Sequence, residues 1–474
     1  MSGHLYFDSA AEDTEFILSG VEGLSANCIF IQRSVSRSKG GDVMSRHSRF
    51  HSALIAAIGL CILTGSAPAA PVAGAPAELK IAVVAFLSGP ASGPFGIPSR
   101  NAADVWIEKI NREGGIGGVK VVPVFTDEAG PADKVVTEFR RLTLDEKVSA
   151  VMGYISSANC LAVPPVADEL KVLTIESDCG TDRVFEEAKH PYVFRTHAHT
   201  VIDGVGAARY VLSIHPEVKT IAGINQDYAW GRDSWEVFQR SMRKLKPDVQ
   251  VVDALWPKLF AGEYSAEISK LLVEKPTVVF TSFWGGDLVT FAGQAKARGL
   301  FEESVVVVNN TGSDIKDIAP GVLIGSRGPH GIVSPDMEKN PLRKEFIALY
   351  RQKYGLAKND YIAHGAYHFV QALQGLRAAY EKAIKAAGRW PTTEQVAAAF
   401  EGLEFDSPSG HIAMAIGGGH QAIEPAGYAI LKFDPALGVN VFSEIRMFPA
   451  KCVNPPDGMK SLDWIDRGFP GAQC

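Results

Sequence analysis

The chain has 474 residues, 46% of them hydrophobic and 21% charged, with a formal net charge of −6. This is the composition of a globular protein long enough for two or three domains with sizeable cores. The negative balance and the lack of a basic face argue against a nucleic-acid partner.

Residues 1–43 show no sustained periodicity and are read as disordered or not translated. From Met44 a different pattern begins: Arg46 and Arg49 give a positive segment, and Ala53–Leu63 is an apolar run too short to cross a bilayer. An Ala/Pro-rich stretch with small-residue cleavage sites follows. Residues 44–77 are therefore expected to be a cleaved signal peptide, with Met44 as the start. Cys61 follows Leu60, where a lipid-anchoring signal needs a small residue, so an anchor is disfavoured. Cleavage removes Cys28 and Cys61 and leaves Cys160, Cys179, Cys452 and Cys474. Four cysteines in an exported chain permit three pairings, of which proximity favours 160 with 179 and 452 with 474.

Leu79–Phe86 (LKIAVVAF) is a continuous apolar run, as in a strand covered on both faces of a parallel sheet. A helix follows with Ala103, Trp106, Ile107 and Ile110 at i, i+3, i+4, i+7 spacing, ended by Gly114-Gly115. Strand Val119–Phe125, a helix carrying Val135, Val136, Phe139 and Leu142, and strand Ala150–Met152 repeat the alternation. The stretch GYISSANCLAVPPVADELKVLTIESDCGT then holds two strand-end turns, a helix and a further strand, with one cysteine in or near each turn. After Tyr192–Thr196 the alternation starts again: strands Thr220–Ile224, Val249–Asp253, Val278–Thr281 and Val305–Val308, and helices Val201–Leu212, Trp235–Leu245, Ile268–Leu272 and Leu288–Ala297. Strands separated by helices mean βαβ units, and this many strands mean two lobes rather than one sheet. Helical patterns return at Pro341–Tyr354, Tyr361–Ala387 and Thr393–Phe400. β-like segments follow at His411–Ala415, Tyr428–Phe433 and Val441–Met447, and then an irregular Pro/Gly-rich tail.

Most catalytic motifs fail. Gly114–Gly118 follows a helix and precedes a strand, the reverse of a dinucleotide loop. No Walker A sequence, HExxH or GxSxG elbow is present. His197-Ala198-His199 lacks a third metal-ligand signal, and Asp127-Glu128 reads as a solvated turn. No metal, cofactor or catalytic residue is expected.

The informative residues stand at successive strand ends. Phe95 follows the first strand, Tyr154, Ser156 and Ser157 the third, and Asp178 and Thr181 the fourth. Asn225, Asp227, Tyr228 and Trp230 (GINQDYAWG), Phe283 and Trp284 (FTSFWGG), and Asn309, Asn310 and Thr311 (VVNNTG) follow strands of the second lobe. Aromatic walls with neutral hydrogen-bonding groups between them suit binding a small organic molecule more than transforming it.

Over about Leu79–Pro449 the chain resembles the periplasmic substrate-binding proteins of ABC transporters of the branched-chain amino acid type. The resemblance rests on LKIAVVAFLSGPASGPFG, NREGGIGGVKVVPVFTDEAG, VMGYISSANCLAVPPVADELKVLTIES, NQDYAWG and QAKARGL. It implies an α/β fold of two Rossmann-like lobes with parallel sheets, joined by three crossings placed near Thr196–Thr200, Pro329–Val333 and Phe405–Ser409. Lobe 1 would comprise 79–198 and 331–404, lobe 2 would comprise 199–330 and 405–449, and 450–474 would be a disulfide-tethered tail. The implied function is that of a periplasmic, monomeric receptor that closes on a small carboxylate-bearing solute and delivers it to an ABC transporter permease. An exported sensor, or an enzyme in the same cleft, is the alternative.

Carried over by resemblance, Phe95 packs on the solute and Ser157 binds its carboxylate with a helix start behind it. Thr181 is the second hydroxyl, and Trp230 and Trp284 are walls in the second lobe. The acidic residue that amino acid binders use for the α-ammonium falls on Asn310 or Thr311. A buried ammonium without a carboxylate is costly, so either the solute lacks an amino group or Asp178 takes over. An aromatic or organic acid is thus ranked ahead of an aliphatic amino acid.

Overall fold

The structure, a computed structural model, describes residues 70–309, 318–326, 339–356 and 361–474. Residues 44–69 of the expected signal peptide, Asn310, Thr311 and the crossing expected at Pro329–Val333 lie outside them. Residues 70–77 are described: the Val72 amide donates to the Gly117 carbonyl at 3.2 Å and the Trp390 amide to the Ala73 carbonyl at 2.9 Å.

The first pass through the chain lays down β1 (Glu78–Ala85), α1 (Ile97–Arg112), β2 (Lys120–Asp127), α2 (Ala132–Leu144), β3 (Ala150–Gly153), α3 (Ser157–Ala162), α4 (Pro164–Leu170), β4 (Leu173–Glu176), α5 (Arg183–Glu187) and β5 (Val193–Arg195). The second gives α6 (Thr200–Ile214), β6 (Thr220–Ile224), α7 (Ala229–Leu245), β7 (Gln250–Leu255), α8 (Ser265–Glu274), β8 (Val278–Thr281), α9 (Gly285–Ala297), α10 (Leu300–Glu303), β9 (Val305–Val308) and β10 (Leu323–Ser326). Then come α11 (Pro341–Tyr354), α12 (His364–Ala387), α13 (Thr393–Phe400), β11 (Glu404–Ser407), β12 (Gly410–Ile416), β13 (Gln421–Ile423), β14 (Ala426–Asp434), β15 (Val439–Phe448), α14 (Ala450–Val453) and α15 (Ser461–Asp466).

The strands form two sheets, ordered β11-β12-β13-β5-β4-β3-β1-β2 and β15-β14-β10-β9-β8-β6-β7. Within each, the five strands of one α/β pass are parallel and run in the doubly wound order 2-1-3-4-5. The apolar run of β1 is explained by its coverage. Ile81, Val83 and Ala85 join the core under α1 and α12, while Ala82 and Val84 join the one under α2 and α4. On α1, Trp106, Ile107 and Ile110 are buried as their spacing predicts; each such side chain contributes about 1.5–3 kcal/mol by leaving water.

Three expectations need correction. The sheets are mixed rather than parallel, because β11–β13 and β14–β15 add antiparallel edges. The crossing expected at Phe405–Ser409 is instead the β11–β12 hairpin of the first sheet. The chain leaves that sheet after Ile423 and enters the second at Ala426, so 404–423 belongs to lobe 1. The tail is not irregular: α14 packs on α6 and α15 on α7, and Trp464 and Ile465 are fully buried in the second lobe's core. Cys452 pairs with Cys474, and Cys160 with Cys179.

Candidate functional site

In a doubly wound sheet the helices after the first and third strands leave on opposite faces, which opens a crevice at the carboxyl ends of those two strands. Both lobes place their aromatic and hydroxyl residues there. Phe95 follows β1 and Ser157 opens α3 after β3; Tyr228 and Trp230 follow β6, and Trp284 follows β8. The two crevices face each other. Phe95, Ile155, Ser157, Asp178 and Gly180 from the first lobe enclose one small cavity with Tyr228, Trp230 and Trp284 from the second. It measures about 10 Å³, room for about one water. A ring-sized solute therefore enters only when the lobes part.

The walls are held rigidly. Phe95 meets Trp284 edge-on, with centroids 5.5 Å apart, and Phe86 and Phe260 flank the same indole at 5.9 and 5.6 Å. Trp284 Nε1 donates to Tyr228 Oη and Trp230 Nε1 donates to the Ser282 carbonyl, both at 2.8 Å. Phe95 sits on a tight turn whose next residue must be glycine, because a Cβ on Gly96 would lie 1.7 Å from the Phe86 carbonyl oxygen.

Ser157 is oriented by the turn that follows β4. The amides of Gly180 and Thr181 both donate to its Oγ at 3.3 Å. A hydroxyl has two lone pairs and one proton. With both lone pairs taken, its O–H is left to donate. The turn is pinned from behind by Arg195, whose Nη1 donates to the carbonyls of Cys179 (3.2 Å) and Thr181 (2.7 Å). That directs the turn's amides towards Ser157.

The start of α3 is held by a buried carboxyl. Glu128, fully buried, accepts from the amides of Ile155 and Ser156 at 2.8 Å each and from Asn159 Nδ2 at 2.9 Å. Burial pushes its carboxyl up to about 7 despite these donors. Asp127-Glu128 is thus not a solvated pair: Asp127 caps the loop after β1, and Glu128 braces the α3 turn.

The other expected site residues are placed as follows. Asp178 lines the cavity, and its Oδ1 lies 2.5 Å from His368 Nδ1. Tyr154 does not line it; its ring lies in the core with Phe139 and Val163. Ser156 is buried with its amide committed to Glu128. Thr181 contributes its amide to Ser157, but its hydroxyl donates across the lobes to Asp233 Oδ2 of α7 at 2.5 Å. Tyr228, named among the strand-end residues, lines the cavity; the residues that sequence reasoning left off the site are Ile155, Gly180 and the pair His364 and His368. The last two had a visible signal, a repeat at i, i+4 on one helix face.

A larger cavity, about 600 Å³, is lined by Asp182, Phe185, Glu186, His420, Met459 and Lys460 among others. It lies away from the strand ends that carry the aromatic walls, so the small cavity is the candidate site.

The Thr181–Asp233 contact makes closure sensitive to pH. Burial, then the nearby carboxylates of Asp182 and Glu187, raise Asp233 to about 6, against the opposing bond from Thr181 and the charge of Arg183. A carboxyl raised in the closed form binds its proton more tightly there than when solvated. Closure therefore gains as pH falls through about 6 and levels off near the ordinary value of 3.8. Solute affinity is expected to rise up to about tenfold between pH 7 and pH 5, measured by calorimetry, with Asp233→Asn flattening that profile.

A family model described as periplasmic binding protein matches residues 78–434. The leucine-, isoleucine-, valine-, threonine- and alanine-binding protein of Pseudomonas aeruginosa is 25% identical over 333 residues, 69% of this chain and 84% of that protein. Among solved structures, a solute binding protein of an ABC transporter from Rhodopseudomonas palustris BisB5, in complex with 3,4-dihydroxybenzoic acid, has the same fold. Its TM-score is 0.68 at 19% identity, with 79% of this chain and 98% of that chain covered. A leucine binding protein from Thermotoga maritima MSB8 gives a TM-score of 0.64 at 21% identity, covering 77% and 98%. The family match begins with β1 and ends with β14 and so takes in both sheets and the crevices between them: this chain belongs to the periplasmic binding protein family.

Proposed function

We propose that the chain is an exported receptor that captures a small aromatic or other organic acid between its lobes and hands it to the permease of an ABC transporter. The observation that carries this reading is the pairing of a donor-only hydroxyl, Ser157, with walls made by Phe95, Trp230 and Trp284. The hydroxyl suits a carboxylate oxygen, and the rings suit a flat apolar body. The relatives fit it: one is named for the branched-chain and small amino acids it binds, and the Rhodopseudomonas structure holds a dihydroxybenzoic acid. The chain acts as a monomer in the periplasm after removal of the signal that begins at Met44, and as a receptor rather than an enzyme. A branched-chain amino acid is the second reading, because Asp178 offers an acceptor in the cavity wall for an ammonium.

A thermal-shift screen of benzoates, short organic acids and branched-chain amino acids tests the class; no stabilisation by any of them would refute it. Ser157→Ala is expected to weaken binding of the best solute about 10- to 100-fold, the worth of one hydrogen bond to a charged group. The unfolding midpoint should stay near that of the parent, as checked by calorimetry and circular dichroism.

A further inference from the structure

The N-terminal end of α12 carries His364 and His368, four residues apart and so on one face of the helix. Asp178, on the turn after β4, lies against that face. His368 Nδ1 is 2.5 Å from Asp178 Oδ1, and His364 Nε2 is 3.7 Å from the same oxygen. All three side chains are nearly inaccessible, and one ligand atom from each lies within 4.8 Å of the others. The helix can approach this closely because residue 365 is glycine: a Cβ there would sit 2.9 Å from Asp178 Oδ2. The ring of His197 stacks on His368 at 4.7 Å and fixes its plane. The cluster belongs to the solute cavity, since Asp178 lines that cavity and Phe95, another lining residue, packs edge-on against His364 at 4.9 Å.

We infer that Asp178, His364 and His368 bind a first-row divalent metal ion, of the zinc or cobalt kind, whose remaining coordination position faces the cavity and takes a carboxylate oxygen of the solute. Two imidazoles and one carboxylate are the donor set of open, three-ligand sites for borderline ions, whereas hard oxygen-preferring ions favour carboxylates and carbonyls. Tetrahedral bonds of about 2.0–2.1 Å put ligand atoms about 3.4 Å apart. The contact of His364 with Asp178 is already near this, and that of His368 opens by about 1 Å through small side-chain rotations. Charge points the same way. Among the described lining residues Asp178 brings the formal charge, a carboxylate that would repel an acidic solute. A divalent ion turns the triad's net charge from −1 to +1, beside the donor Ser157. The sequence alone led us to expect no metal, because Asp178 and the two histidines are brought together only by the fold.

The metal site stands on its own geometry; its use in capture rests on reading the cleft as carboxylate-binding. The test uses the mature chain without a polyhistidine tag, stripped with a chelator and titrated with Co²⁺ while its ligand-field absorption is recorded. One Co²⁺ per chain, displaced by Zn²⁺, is expected. His368→Ala and Asp178→Asn should weaken it by at least about 100-fold, since even loss of a supporting partner costs 10- to 100-fold. His411→Ala, in the exposed cluster with Glu404 and Asp406, should change nothing. If the wild-type chain shows no such spectrum, or if only His411→Ala abolishes it, the inference is overturned without recourse to variants that fail to fold. The second measurement is benzoate affinity with Zn²⁺ and with chelator, expected to differ by at least tenfold. Equal affinity in both refutes the metal's part in capture and leaves the receptor reading intact. A triad that holds Co²⁺ in a chain that none of the acids or amino acids stabilises against unfolding upholds the metal site and refutes the receptor reading instead.

Discussion

Replacing Arg195 by methionine is expected to destabilise the fold by about 3–5 kcal/mol at pH 9, read as a shift of the urea midpoint at unchanged slope. The guanidinium is 1% exposed and has no water to compensate its loss. It donates to the carbonyls of Cys179 and Thr181 and to Gln421 Oε1, and stands 4.0 Å from Glu176. Methionine fills much of the volume but orphans two carbonyls and leaves Glu176 buried without its cation. Burial already raises the Glu176 carboxyl to about 8, with Arg195 pulling it down. The sign of the pH dependence follows. Below that value Glu176 is protonated and its unpaired charge costs nothing, so the deficit of Arg195→Met should be smallest in acid and grow as pH rises. Adding Glu176→Gln should recover part of the loss at high pH, and equal deficits at pH 6 and pH 9 would refute this account. Solute affinity should fall as well, because the turn that aims its amides at Ser157 loses its anchor.

Removing the Cys160–Cys179 bridge by a double alanine substitution is expected to cost about 3 kcal/mol, the loop-closure entropy returned to the unfolded chain. The bridge joins α3 to the turn after β4, with Cα atoms 6.5 Å apart. Without it the turns are held by the amides of Asp178 and Cys179 donating to the Tyr154 carbonyl, at 3.1 and 3.2 Å, and by the two bonds to Ser157. These act only once the fold has formed. Stability should therefore drop first and solute affinity by less than Ser157→Ala causes. A variant that kept its melting temperature but lost binding would reverse that order of effects.

The sequence made the α/β alternation legible because buried parallel strands are unbroken apolar runs and their helices keep a 3.6-residue stripe. Of the antiparallel edge strands it showed β12, β14 and β15 as β-like segments and hid β11 and β13, for the opposite reason. β11 reads EFDS and β13 QAI, too short and too polar to stand out, and pairing with β12, and for β13 with β5 as well, gives them their place. The crossing was misplaced on that account. At the site, Phe95, Ser157, Asp178, Trp230 and Trp284 were legible as residues at strand ends. Direction was not: Tyr154 immediately follows β3 but turns into the core beneath α2, a choice made by packing rather than by position. Around Thr181 the fold uses the backbone, with the amides of 180 and 181 serving Ser157 while the hydroxyl serves Asp233. A hydroxyl in sequence announces a side chain, never the amide next to it. The pairing of Asp178 with His368 spans 190 positions, beyond any local pattern.

The saturated oxygen of Ser157 has a consequence for which solutes the cleft admits. A hydroxyl free to rotate greets donors and acceptors alike, and so admits alcohols, amines and acids of one outline. One that can only give its proton discriminates before any wall is touched. An organic cation of the same shape would present hydrogens where a lone pair is required, and is expected to bind more weakly at this hydroxyl than the matching acid. Selectivity of that kind survives changes in the aromatic walls, so exchanging rings among Phe95, Trp230 and Trp284 should retune which acid is preferred while leaving bases disfavoured.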